Sequence, residues 1–158
     1  MATQGWADAM LHQPKDLIEV SQLLYDPPPQ SRSLSAEERG RKLVQAAEEG
    51  EVGELRALIA AGANVGTRGQ WGWTALHWAA DRGDAEAARL LVEAGAAVDA
   101  RDVSGYTPLH YASVHGRAEV AAQLLDAGAD RWATTGGGET ALHLARRYKH
   151  RRLVKMLS

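Results

Sequence analysis

The seven residues Thr74-Ala75-Leu76-His77-Trp78-Ala79-Ala80 return 33 positions later as Thr107-Pro108-Leu109-His110-Tyr111-Ala112-Ser113. They return once more as Thr140-Ala141-Leu142-His143-Leu144-Ala145-Arg146. A fixed period constrains a fold severely. Each unit must bury its apolar face against the next copy of itself, so the chain stacks instead of wrapping one central core. The flanking residues keep step: Gly83 and Gly116 follow each threonine by nine positions, Gly95 and Gly128 by twenty-one. Counting back by the same interval puts Arg41 in the threonine slot, Gly50 in the first glycine slot and Gly62 in the second. The register therefore gives units at about 41–73, 74–106, 107–139 and a shortened 140–158.

Each internal unit reads as helix, turn, helix and extended loop. Threonine is a good helix N-cap, and Pro108 at a first helical position costs no backbone hydrogen bond. Ala79, Ala80, Ala112 and Ser113 keep the first helix thin where neighbouring units approach. Gly83 and Gly116 suit the left-handed residue that ends a helix, where a side chain costs roughly 1 kcal/mol. The second helices offer Leu90-Leu91-Val92 and Leu124-Leu125 to the following unit and stop at Gly95 and Gly128. Asp102-Val103-Ser104-Gly105 is a turn sequence.

A 33-residue period opening on Thr-(Pro/Ala)-Leu-His resembles the ankyrin repeat, and the resemblance covers roughly three quarters of the chain. It implies an all-α solenoid of stacked helix–turn–helix units, with Ala96–Tyr106 and Ala129–Glu139 as short β-hairpin fingers. It also implies a non-enzymatic binding scaffold or adaptor that takes a partner protein in a concave groove. The repeated histidine is then expected to bond the threonine and loop of its own or the adjacent unit.

The two ends depart from the pattern. Ser35-Ala36-Glu37-Glu38 reads as a capping box opening a helix that runs to about Glu49. This first unit lacks the Thr-Pro-Leu-His start and is rich in glutamate, as the polar outer face of a terminal repeat requires. In the last unit Lys149 stands where glycine is expected, and the sequence stops within the second helix, where fraying is expected unless the natural protein continues further. Six cations (Arg146, Arg147, Lys149, Arg151, Arg152, Lys155) face Glu139 alone over residues 134–158, a balance of +5. Residues 1–60 carry six cations and ten anions, or −4. The stack is thus electrically polar.

Residues 1–34 lie outside the register and form a separate extension. Leu17, Ile18, Val20, Leu23 and Leu24 suit one face of a short helix over Lys15–Tyr25, which the Pro27-Pro28-Pro29 run must end. A helix of about ten residues is marginal alone in water. We read it as packing on the first repeat, with folding onto a partner as the other option. The prolines read as a spacer before the Gln30–Ser33 linker, and less readily as an extended ligand for an aromatic groove.

Bulk properties narrow the function classes. A net charge of −2 gives no electrostatic reason to expect nucleic acid or an anionic membrane as the main target. With no cysteine, disulfides, thiolate metal sites and thiol catalysis are excluded together. The N-terminus shows no signal peptide, and no apolar run approaches the ~18 residues of a membrane span. The expectation is a cytoplasmic or nuclear protein, monomeric or in a hetero-complex, without a small-molecule substrate or cofactor.

His77, His110 and His143 repeat at the structural period, so neighbours stand about 10 Å apart, one helix layer. Zinc needs its nitrogens near 2 Å from one ion, so we assign these histidines no metal. The Thr74/His77 and Thr107/His110 pairs belong to helix starts, not to a nucleophile and its base. Gly136-Gly137-Gly138 lacks the following Lys-Ser/Thr of a phosphate loop. No catalytic residue is predicted.

Candidate partner-binding residues come from the finger and groove slots: Gln70, Trp71, Trp73, Asp81, Arg82, Val103, Ser104, Tyr106, Val114, His115, Arg147 and Tyr148. Exposed Trp and Tyr flanked by Arg is the composition of a binding hot spot. Trp78 and Tyr111 are assigned mainly to packing between units, and Trp71, Trp73 and Tyr106 to partner contact. The basic C-terminal turn reads as a solvated cap face, with an acidic partner or nucleic acid as the alternative. An inhibitory or assembly subunit acting through the N-terminal helix is a further alternative.

Overall fold

Among the described residues eight α-helices run in pairs, and the first helix of each pair opens on a side-chain cap. Ser35 accepts from the Glu38 amide at 3.1 Å while Glu38 reaches back to the Ser35 amide at 2.9 Å, starting α1 (Ala36–Glu49). The later units begin the same way with threonine, opening α3 (Ala75–Arg82), α5 (Pro108–His115) and α7 (Ala141–Arg147). Their partners are α2 (Val52–Ala60), α4 (Ala85–Glu93), α6 (Ala118–Asp126) and α8 (Arg151–Leu157). The computed structural model describes residues 34–158, of which Ser35–Ser158 form one compact unit. The readings of a helix over Lys15–Tyr25, a proline spacer and a linker fall outside the described residues.

First helices pack in one row, α1 on α3 on α5 on α7, and second helices in another, α2 on α4 on α6 on α8. The row of first helices is thin because alanine lines it: Ala46, Ala79, Ala112 and Ala145 are all buried at one repeat slot. Leucine fills the space between layers. Leu43, Leu76 and Leu109 occupy one recurring slot, and Leu58, Leu91, Leu124 and Leu157 another. Truncating one such leucine to alanine costs about 2–5 kcal/mol. The outer face of the first unit is polar, with Glu37, Glu48, Glu49, Glu51 and Glu54 exposed.

The turn between paired helices needs a left-handed residue. Gly83 (φ 74°) ends α3 with its amide on the Ala79 and Ala80 carbonyls. A Cβ there would meet Arg117 Cδ at 2.6 Å, so a side chain would strain the backbone and also displace Arg117. In the last unit Lys149 adopts the same left-handed conformation, φ 62°, and α8 still buries Leu153 and Leu157.

The fingers differ from expectation: no strand occurs among the described residues. The second and third fingers are tight turns closed by two backbone bonds each, Asp102 N to Tyr106 O and Gly105 N to Asp102 O, both at 2.9 Å, then Thr135 N to Glu139 O at 2.8 Å and Gly138 N to Thr135 O at 2.9 Å. The physical reason is that side chains do the work of further rungs. Asp102 Oδ1 accepts from the Ser104 and Tyr106 amides, and Thr135 Oγ1 from those of Gly137 and Glu139. Adjacent fingers join through Val103 N to Trp71 O and Gly136 N to Ser104 O. Arg68 and Arg101 staple them further, each bonding a carbonyl of its own finger and one 33 residues on.

Candidate functional site

The first finger lacks the side-chain acceptor of its successors, because Gly69 occupies the slot of Asp102 and Thr135. The chain closes instead through backbone, with Gly69 N to Trp73 O at 2.8 Å and a 3₁₀ turn over Gln70–Gly72. Trp71 within that turn has φ 62°. A bulky aromatic in the left-handed region is an outlier, and such strain concentrates where side chains are presented for function. Trp71 is 51% exposed.

Behind Trp71 lies an aromatic cluster. Ring centroids separate by 5.7 Å for Trp71–Trp73, 6.2 Å for Trp71–Trp78 and 4.5 Å for both Trp73–Trp78 and Trp73–Tyr111. Tyr106 stacks on Tyr111 at 5.1 Å. Trp71 comes from a finger tip, Trp73 and Tyr106 from finger bases, and Trp78 and Tyr111 from the fourth position after a threonine, so neighbouring units supply adjacent rings. Such pairs contribute about 0.5–1.5 kcal/mol beyond area burial.

The rings border an open cleft of about 470 Å³, lined by Trp71, Trp73, Trp78, Asp81, Asp102, Val103, Ser104 and Tyr111. Two carboxylates enter it. The buried Asp102 accepts the Tyr111 hydroxyl proton on Oδ2, besides its two finger amides. Burial and this carboxylate hold the Tyr111 hydroxyl protonated well above its ordinary pKa. Asp81 is half-exposed, with Oδ1 at 2.8 Å from His115 Nε2.

The predicted residues divide on this geometry. Trp71, Trp73, Asp81, Val103 and Ser104 meet in the cleft, with His115 and Tyr106 beside it. Trp73 departs from its expected exposure. At 8% exposed it is the floor of the cluster, because Trp71, Trp78 and Tyr111 close over it. Gln70 is exposed in the 3₁₀ turn, and Arg82 reaches the Glu48 carbonyl at 3.3 Å. The Val114 carbonyl accepts from His150 Nε2, Arg147 pairs with Glu139, and Tyr148 is 47% exposed on the last unit.

Two kinds of residue escaped sequence reasoning. Trp78, Tyr111 and Asp102 line the cleft as well as packing, a dual role invisible in a repeat slot. Trp132, 68% exposed, lies in the loop after α6 and makes no ring contact among the described residues. Only its aromaticity in a polar segment signalled it.

The histidines are structural by their bonds. His77 Nδ1 accepts from the Thr74 amide at 3.0 Å, so Nε2 carries the proton it donates to the Tyr106 carbonyl at 3.0 Å. His110 repeats this with Thr107 and the Ala133 carbonyl. Burial lowers both pKa values, keeping the rings neutral. Each thereby ties one helix start to the next finger. Among the described residues no three His, Asp or Glu gather as metal ligands, and no helix is long and apolar enough to cross a membrane.

At the far end, Arg146, Lys149, Arg151, Val154 and Lys155 line a second cleft of about 430 Å³.

Comparison with known proteins agrees with this architecture. The chain has no significant match among curated proteins. A family model of ankyrin repeats in three copies matches residues 43–135, and the single ankyrin repeat model matches 137–158. Ankyrin repeats generally mediate protein–protein interactions and are typically not enzymes. The period, the capped helix pairs and these matches together show that the chain belongs to the ankyrin repeat family.

Proposed function

We propose that this protein is an adaptor that binds a segment of a partner protein across the fingers of its first and second units and the first helices of its second and third. The observation that carries this is Trp71, held half-exposed in a strained backbone at the mouth of an aromatic cleft. Val103, 77% exposed and bonded through its amide to the Trp71 carbonyl, extends the apolar surface to the next finger. Hydrogen-bonded fingers and stacked helices fix this surface before binding, so little ordering entropy is lost on association. The cysteine-free composition accords with the cytosol or nucleus as its place of action.

The test is a photo-crosslinking amino acid at Val103, with the exposed Glu93 of α4 as the control position. Crosslinks to a discrete protein from position 103, absent from 93 and abolished by Trp71→Ala, are expected. Equal capture from both positions overturns the reading. Trp71→Ala should weaken the partner complex by about 2 kcal/mol.

A second reading rests on the basic cleft at the last unit, which suits an acidic partner or nucleic acid. It requires binding that falls steeply with salt. Binding indifferent to salt removes it.

A further inference from the structure

The lining of the aromatic cleft specifies its occupant more narrowly than an apolar surface would. Trp71 and Trp73 meet at 65°, Trp73 and Trp78 at 58°, and Trp73 and Tyr111 at 48°. Rings so inclined give the cleft a lining of aromatic faces and edges, with Trp73 beneath the others. Tyr111 donates its hydroxyl proton to Asp102, which adds electron density to that ring. No lysine or arginine lines the cleft. Arg117 is held by the Asp81 carbonyl and Arg68 by those of Gly72 and Arg101. Asp81 Oδ1 meets His115, and no described residue bonds Oδ2. Aromatic faces with a partly exposed carboxylate at the rim complement a cation.

Hydration decides which cation. A primary ammonium is compact and strongly hydrated, with three N–H donors. The aromatic faces cannot satisfy those donors, and one free carboxylate oxygen serves a single N–H. Two methyl groups on the nitrogen keep the charge and reduce hydration. They also leave one N–H for Asp81 Oδ2. We infer that the cleft binds a dimethylated lysine side chain of the partner segment, with its ammonium among Trp71, Trp73, Trp78 and Tyr111 and its remaining N–H on Asp81. This deepens the adaptor reading and rests on it. It also gives the strained backbone of Trp71 a role, since that conformation places the outermost ring of the cage.

The test is NMR titration of the ¹⁵N-labelled full chain with Nα-acetyl-Nε,Nε-dimethyllysine amide, following the indole N–H signals. Saturable shifts at Trp71, Trp73 and Trp78 are expected, with Trp132 unmoved. The unmethylated lysine derivative should bind at least about fivefold more weakly, and the neutral Nε-acetyl derivative should leave the signals in place. Asp81→Asn, at a half-exposed position that preserves shape, should weaken the dimethyl derivative by about fivefold. Equal shifts with the acetylated derivative, or none with the dimethylated one, overturn the proposal. If Val103 still crosslinks a protein in that case, the groove reading stands and only the cation is lost.

Discussion

The Tyr111 hydroxyl donates to Oδ2 of Asp102, nine residues earlier, and so fastens the start of one helix pair to the finger of the preceding unit. The same carboxylate holds the finger closed through the Ser104 and Tyr106 amides. One buried acid therefore shapes both the turn that carries Val103 and the ring that walls the cleft.

Tyr111→Phe should leave Asp102 short of one charge-assisted bond and cost about 1.5–3 kcal/mol in urea denaturation. The burial-raised pKa of Tyr111 sets a pH signature. Its stabilisation is lost as pH rises above the ordinary value of 10.0, because the unfolded tyrosine ionises first. The phenylalanine variant should lack that component of the alkaline decline. A stability equal to wild type at neutral pH would show that the bond contributes nothing.

Trp73 and Trp71 should separate cleanly by their burial of 8% and 51% exposed. Trp73→Ala removes the floor of the cluster and should cost about 3–5 kcal/mol, seen as a large drop in denaturation midpoint. At position 71 the backbone angle reverses the usual order of small residues. Trp71→Gly should be more stable than Trp71→Ala by roughly 1 kcal/mol, because φ of 62° penalises any Cβ.

Lys149→Gly should stabilise the last unit. The lysine holds φ 62° at the slot where Gly50, Gly83 and Gly116 sit at 75°, 74° and 71°. Relief of that conformation is worth up to about 1 kcal/mol, and hydrogen exchange of the α8 amides should slow accordingly. Faster exchange would mean that the lysine side chain contributes more than its backbone costs.

His77 and His110 predict an acid sensitivity. Burial lowers their folded pKa values below the ordinary 6.5, so the unfolded chain binds protons first as pH falls. Stability is fully present above about 6.5 and declines below it, toward the folded values. Ring-proton NMR should show both histidines still neutral where free histidine is half-charged. Ordinary titration at either position would contradict its burial.

What the sequence by itself determined was the repeat. Helix starts at Thr74, Thr107 and Thr140, turns at Gly83 and Gly116, and the buried leucine slots all follow from local backbone rules and a 33-residue phase. Such features are legible because their cause lies within a few residues, or at a fixed offset in the next copy. Which aromatic rings are covered was decided only by the tertiary structure. Trp71 and Trp73 are near neighbours of the same type, yet a left-handed backbone at one turns its ring outward while the other is covered by rings from α3 and α5. The cleft likewise needs Asp81 from α3 and Asp102 from the following finger, 21 positions apart in the chain. No local rule links them. Packing of one unit on the next sets that distance, and with it the chemistry of the site.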